Sequence, residues 1–481
     1  MRTVTAYSLA LLSLTLVPLM SFGQLLPVPT LPSAVIDKLD QSVSRNAERL
    51  QALKQQRLLN QQLQQTLTLK ATLLDPLLQL PAVVPVLNSA GLLVWNDIEV
   101  ENGLRAVERE WLLLLSIAQW QQLLTTTPEL EIYVQSRTEL AMLGLQLVKI
   151  QVPVELDSVD ALRKTLSTLL APYLSRNYIY QPQAANQAST VTDVQASTET
   201  ATQAGRATTD QITAVQQVVK SETAAAMCDN PIRLGMIDTA IVADHKALPI
   251  AKKRLALIQR NFLASDIPSS YSHGTAVAGV LAGNNDQLKP LLPSLTLYSA
   301  GAFYAQNTYQ QGATLDSILQ ALNWLVGQQV RVINMSLTGP DNPILQEVVS
   351  RLSKTQTILV AAAGNGGPAA KPLYPAAYSD VIAVTAVDKQ LGLYRWANQG
   401  DYIDFAAQGV KVLTTRADGS VGIESGTSMA TPVVSAKVAC MLAATPELLL
   451  DQVLLQLQQQ VIDLGAQGKD PQFGYGLVSR P

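Results

Sequence analysis

Histidine occurs only twice in the 481 residues, as His245 and His273, and cysteine only twice, as Cys228 and Cys440. Two cysteines cannot make a disulfide scaffold, and without a C-x-x-C pair or a Cys/His cluster structural zinc is excluded. Any chemistry that needs an imidazole must use one of the two histidines. Charge is scarce as well: 34 Lys and Arg with 37 Asp and Glu make 15%, against roughly 25% in an ordinary soluble domain. A disordered, strongly charged chain is therefore excluded. The net charge is −3, and no run of Lys or Arg supplies the electrostatic footprint that nucleic acid requires. Apolar types reach 48%, and at roughly 150 residues per domain the length suggests about three units.

Residues 1–23 carry Arg2, an apolar run from Ala6 to Met20, and Ser21-Phe22-Gly23, with small residues at the two positions read by a signal peptidase. This reads as a cleaved export signal, because the run is shorter than the roughly 20 residues of a spanning helix. No cysteine stands at the cleavage site, which argues against a lipoprotein. The mature chain is thus expected outside the cytoplasm, in the periplasm or the medium. Residues 24–82 are rich in Leu and Gln, and Ile36, Leu39, Val43, Leu50 and Leu53 recur at helical spacing. An amphipathic helix is expected from Val35 to Leu77, laid on its own chain or on a protein partner.

In residues 83–183 the pattern predicts a small α+β unit: strands at Leu92–Trp95, Gln146–Val152 and Asn177–Tyr180, helices at Arg105–Leu124 and Ser158–Ala171. Residues 184–227 are mostly Ala, Thr, Gln, Ser and Val without aromatics or proline, which is linker composition. From 228 to 481 the character changes again. Arg233–Ile237, Arg331–Met335, Thr357–Ala362 and Val381–Val387 are mainly continuous apolar runs separated by helical stretches, so an α/β fold is expected, with a mostly parallel sheet covered on both faces.

Open α/β sheets place their sites at the carboxyl ends of strands. There the sequence reads Gly235-Met236-Ile237-Asp238-Thr239, Ser272-His273-Gly274-Thr275, Ala362-Ala363-Gly364-Asn365-Gly366-Gly367 and Gly426-Thr427-Ser428-Met429-Ala430-Thr431-Pro432. A serine hydroxyl needs a base to become a nucleophile. Ser428 follows Gly426, and Pro432 suits an early helical position, so Ser428 is expected at a helix N-terminus, where N–H groups face developing negative charge. His273 opens a helix of small residues and is the candidate base. Asp238 ends an apolar strand, where a carboxylate must be compensated, and His273 is the partner that can do so. Asn365 lies in a glycine-rich turn that can bring its amide over the nucleophile as an oxyanion donor. His245, inside Ala243-Asp244-His245-Lys246, has no motif glycine beside it and reads as structural.

These four segments resemble the Asp, His, Asn and Ser signatures of the subtilisin-like serine peptidases, in that family's chain order, over residues 231–480; subtilisin is a standard example of the triad, and the order is taken from it. The resemblance implies a serine endopeptidase with Ser428, His273 and Asp238 as triad and Asn365 as oxyanion donor. It further implies that Ser336, Leu337, Thr338 and Gly339 form one edge of the substrate cleft and Ala361, Ala362 and Ala363 a wall of the first specificity pocket. Neither segment is charged, so an apolar side chain is expected before the scissile bond. Two positions depart from the family pattern: Ala240 stands where glycine is common, and Ala276 where a second histidine is often found. Neither donates a catalytic atom. The α+β unit is similar in size and place to a propeptide that assists folding and blocks the cleft, with Asn177 to Pro182 as its terminal strand, and cleavage is expected in the linker of residues 184–227. No Asp-x-Asp-x-Asp-Gly spacing marks a calcium loop, so family calcium sites are not carried over, although structural calcium of another kind is not excluded, and the reaction needs no cofactor. Cys228 and Cys440 leave two readings open, a disulfide or a small buried apolar residue at Cys440. The rival function is a silent peptidase-like binding module; four intact motifs argue against it.

Overall fold

The computed structural model describes residues 80–165, 173–182, 228, 230–252, 255–264, 266–307 and 310–481. The export signal, the Leu/Gln-rich helix, the linker and the end of the helix expected to reach Ala171 lie outside the described residues.

The amino-terminal part is built from β1 (Val83–Leu87), β2 (Leu93–Glu99), β3 (Arg105–Leu115), helix α1 (Ile117–Thr126), β4 (Val134–Leu140), β5 (Leu145–Gln151), helix α2 (Val159–Thr165) and β6 (Leu174–Pro182). All its strand pairs are antiparallel, with β3 flanked by β2, β5 and β6. One sequence expectation is overturned here. Arg105–Leu115 is a strand and not the first half of a helix. Its Leu, Arg and Glu are good helix formers, but the segment is buried on both faces, and burial overrides propensity. Trp111, Leu113 and Leu115 join one core with Trp120 and Ile150. Leu112 and Leu114 point the other way, into a core shared with the carboxy-terminal part. Ser116 then starts α1 with a capping box, accepting from Gln119 N–H while the Gln119 side chain accepts from Ser116 N–H.

The rest of the chain contains β7 (Ile232–Asp238), β8 (Leu255–Asn261), helix α3 (Ser272–Ala282), β9 (Leu295–Gly301), β10 (Tyr304–Ala305), β11 (Gln311–Thr314), helix α4 (Leu315–Gly327), β12 (Val332–Met335), β13 (Leu337–Thr338), helix α5 (Pro343–Lys354), β14 (Ile358–Ala362), β15 (Val381–Val387), β16 (Phe405–Gln408), β17 (Val412–Thr415), β18 (Val421–Glu424), helix α6 (Thr427–Ala444) and helix α7 (Leu450–Gln460). A seven-stranded parallel sheet runs in the order β8-β9-β7-β12-β14-β15-β16. Its central strands are buried on both sides, and alternate residues feed two cores. Leu234, Met236, Val360 and Val384 face α3 and α6. Ile237, Ile333, Leu359 and Ala383 face α4 and α5. Helix α6 has the length and hydropathy of a membrane span but is the core helix of this sheet, nearly all of it buried. The order reverses beside β7, so the carboxyl ends of β7 and β12 open a crevice at a topological switch point.

Strand β6 joins the two parts. It pairs with β3 on the amino-terminal side and, further along, with β11 (Ile179 with Thr314, Tyr180 with Ala313) and β13 (Gln181 with Thr338, Pro182 with Leu337). Cys228 and Cys440 are disulfide-bonded, tying the chain just ahead of β7 to α6.

Candidate active site

Asp238 is the last residue of β7 and His273 the second of α3, and both are buried. The His273 Nδ1 lies 2.8 Å from Asp238 Oδ1 and 2.9 Å from Oδ2. A carboxylate accepts, so the proton sits on Nδ1 and leaves a lone pair on Nε2. That Nε2 is buried without a hydrogen-bond partner. An unsatisfied imidazole nitrogen costs free energy in a finished fold, and it is the atom a general base requires. The backbone holds the pair closely: Thr239 N–H donates to Asp238 Oδ1 at 2.7 Å, and Gly274 N–H donates to Thr239 Oγ1 at 2.7 Å. A Cβ on Gly274 would fall 2.2 Å from the Thr239 carbonyl oxygen, so only glycine fits after His273.

Ser428 occupies the second position of α6, fully buried, with Gly426 as the N-cap. Its N–H belongs to the first turn, where amides lack intrahelical acceptors. Asn365 follows β14 and reaches the same turn: its Oδ1 accepts from Thr427 N–H and from Thr427 Oγ1–H, both at 3.0 Å. A backbone N–H can only donate, so the amide orientation is fixed and Nδ2 is the donating end of the Asn365 side chain. Thr427 carries no signal of this role in the sequence. It adjoins Ser428, and its part shows only in three dimensions.

Ser336 follows β12, and its Oγ donates to the Ser428 carbonyl at 3.0 Å, so this side chain turns toward the Ser428 backbone. Leu337 and Thr338 form β13 and carry the β6 pairing. Gly339 lies under the Tyr180 ring, where an added Cβ would come 2.2 Å from Tyr180 Cδ1. Ala361 and Ala362 end β14 and Ala363 follows; all three are fully buried, Ala361 in the α4/α5 core. The two family departures leave the local backbone regular: Ala240 N–H donates to Ser270 O, and Ala276 packs in the core with its carbonyl accepting from Thr414. His245 lies apart from these residues' hydrogen bonds: Nε2 donates to Ser420 O at 3.0 Å and Nδ1 accepts from Ala247 N–H at 3.1 Å. Among the described residues no group of His, Cys, Asp and Glu is placed to hold a metal.

The amino-terminal part meets this region through buried polar contacts as well as β6. Asp97 accepts from Gln306 Nε2 at 2.5 Å, Tyr304 OH at 3.2 Å and its own neighbour Arg105 at 2.7 Å. Burial holds the Asp97 carboxyl above the usual carboxylate range, and burial does the same to Glu110. Lys149 pairs with Asp316 at 2.7 Å at the start of α4. Asn177 accepts from Asp316 N–H at 3.0 Å, and Asn342, the N-cap of α5, donates to Ser175.

The pattern of the subtilase family matches residues 229–476. The minor extracellular protease Epr of Bacillus subtilis is 32% identical over 54% of this chain and 39% of its own length. Subtilisin DY of Bacillus licheniformis is 31% identical over 52% of this chain and 89% of its own. Among solved structures, fervidolysin from Fervidobacterium pennivorans, described as a keratinolytic enzyme related to subtilisin, superposes with TM-score 0.59 at 19% identity, covering 83% of this chain and 63% of that one. The epidermin leader peptide processing serine protease of Staphylococcus aureus gives TM-score 0.54 at 17% identity over 77% of this chain and 96% of its own. The chain thus spans well under half the length of Epr, and the structural likenesses speak to fold alone. With the family pattern matched over half the sequence, the chain belongs to the subtilase family.

Proposed function

We propose that this chain is an exported serine endopeptidase, held inactive by its own amino-terminal part. Ser428 attacks the peptide carbonyl, His273 Nε2 takes the hydroxyl proton and returns it to the leaving amine, and Asp238 keeps the imidazole in the Nδ1–H tautomer. The oxyanion is held by the Ser428 N–H and Asn365 Nδ2, a type of contact worth roughly 3 to 4 kcal/mol in the transition state. The products are two shorter peptides formed through an acyl-enzyme. The observation that carries this reading is the buried Asp238–His273 pair with an unpartnered Nε2. The family's extracellular relatives support export.

Zymogen control is supported by β6. A substrate strand entering the cleft would add to an exposed edge by main-chain pairing, and β6 already fills the place between β11 and β13. Pro182 pairs with Leu337, whose neighbour Ser336 touches Ser428. Self-cleavage is therefore expected in the linker of residues 184–227. Substrates are polypeptides with an apolar residue before the scissile bond.

The test is to express residues 24–481 as wild type and as Ser428→Ala, follow mass over time, and add a fluorophosphonate probe for activated serines. Self-cleavage and labelling of the wild type alone are expected. Labelling without cleavage would refute autoprocessing. If the wild type stays unlabelled even after an added protease removes the amino-terminal part, the peptidase reading fails.

A further inference from the structure

Three buried side chains outside the triad, Ser435, Asn334 and Ser336, form a directed chain that ends on the carbonyl of Ser428. In a regular helix the carbonyl of residue i accepts from the N–H of residue i+4. For Ser428 that residue is Pro432, which has no N–H, so the helix cannot supply the usual donor. Ser336 supplies one instead: its Oγ–H donates to Ser428 O at 3.0 Å. A hydroxyl that donates there needs its oxygen held, and Asn334 Nδ2–H donates to Ser336 Oγ at 3.0 Å. Asn334 Oδ1 in turn accepts from Ser435 Oγ–H at 2.9 Å. Ser435 stands seven residues after Ser428, two helical turns along the same face. Asn334, Ser336, Ser428 and Ser435 all have no exposed surface. The chain leaves α6 at Ser435, crosses β12 through Asn334, and returns to α6 at Ser428.

We infer that Asn334 is a positioning residue of the peptidase: through Ser336 it locks the first turn of α6, and with it the Ser428 hydroxyl and the Ser428 N–H, at a fixed height against β12. Asparagine suits the task because it donates at one end and accepts at the other, so all three bonds run in one direction. A fully satisfied buried network of this kind fixes one geometry, whereas a half-satisfied one does not. In sequence the signal is a lone amide inside the apolar run Val332-Ile333-Asn334-Met335. The inference rests on the proposed peptidase function.

The decisive variant is Asn334→Asp, which keeps shape and accepts at both ends. Ser336 Oγ–H is then drawn to the carboxylate and the Ser428 carbonyl loses its donor. A displacement of about 1 Å at a reacting atom costs on the order of a hundredfold, so a tenfold to hundredfold fall in kcat and in the fluorophosphonate labelling rate is expected, with KM within about twofold. Ser435→Ala should move the same quantities in the same direction by less, and Ser435→Thr should restore them. Ser299→Ala removes a buried hydroxyl that has no partner, and its kinetics should match the wild type. All are made in the full chain and assayed after maturation, with folding checked by thermal melting and Ser428→Ala as the blank. If Asn334→Asp does not fold, Ser435→Ala with its threonine rescue decides. Wild-type kcat and labelling in folded Asn334→Asp or Ser435→Ala would overturn the inference while leaving the peptidase reading intact. A loss that Ser435→Thr fails to restore would assign the residue to stability alone, and a wild type with no Ser428-dependent labelling would end both readings.

Discussion

Tyr180 gives the sharpest test of self-inhibition. Its side chain is fully buried over Gly339, its hydroxyl donates to Pro340 O at 3.1 Å, and burial drives its phenol well above the ordinary range. Replacing a buried aromatic by alanine costs about 3 to 5 kcal/mol. If that cost falls on docking, the cleaved amino-terminal part should hold the cleft about 150- to 5000-fold less tightly, at 1.36 kcal/mol per factor of ten. Tyr180→Phe removes only the hydroxyl bond, worth about 1 kcal/mol, or about fivefold. The assay is to let the full chain cleave itself at micromolar concentration and count the serines a fluorophosphonate labels at once. Wild type should remain largely protected, Tyr180→Phe partly, and Tyr180→Ala almost fully labelled. If Tyr180→Ala folds, cleaves itself and stays as protected as wild type, β6 is not what blocks the cleft.

Docking should also depend on pH. Asp97 and Glu110 are both held above the usual carboxylate range by burial in the docked state, so docking takes up protons. Their contribution is complete below the free carboxylate pKa and is lost as pH rises through the docked value; inhibition measured at pH 5 should exceed that at pH 7.5, and Asp97→Asn with Glu110→Gln should flatten the profile. Asn365→Ala should lower kcat by about a hundredfold to a thousandfold with little change in KM, and an equal effect on both would refute its oxyanion role. The Cys228–Cys440 bond closes a loop of 212 residues, for which the chain-entropy account gives roughly 5 kcal/mol. Melting in a reductant should come at clearly lower temperature, and an unchanged melting point with titratable thiols would contradict that figure.

What the sequence made legible was whatever local rules control. Continuous apolar runs mark strands buried on both faces, and β15 begins and ends where its run does, at Val381 and Val387. Asp238, His273, Asn365 and Ser428 stand out because glycines and small residues surround them for steric reasons, as Gly274 shows. What stayed hidden depends on partners far along the chain. Arg105–Leu115 reads as helix until Leu112 and Leu114 meet α4 and α5. Thr427 gains its role only when Asn365 arrives from 62 residues earlier. Thr414 and Thr415 of β17 donate to carbonyls of α3, a clasp on the helix of His273 with no periodic signature. The bond from the Ser336 hydroxyl to the Ser428 carbonyl likewise joins positions 92 residues apart.

The disulfide also governs how far proteolysis can travel along the chain. A cut anywhere in residues 184–227 creates a new chain end upstream of Cys228, and Cys228 is bonded to the helix that carries Ser428. Trimming of that end can remove residues ahead of Cys228, but Cys228 itself stays bonded to α6, four residues before β7. The strand that ends at Asp238 is thereby pinned at its entry by the disulfide as well as along both sides by β9 and β12, so a ragged chain end left by any upstream cut stays ahead of that strand.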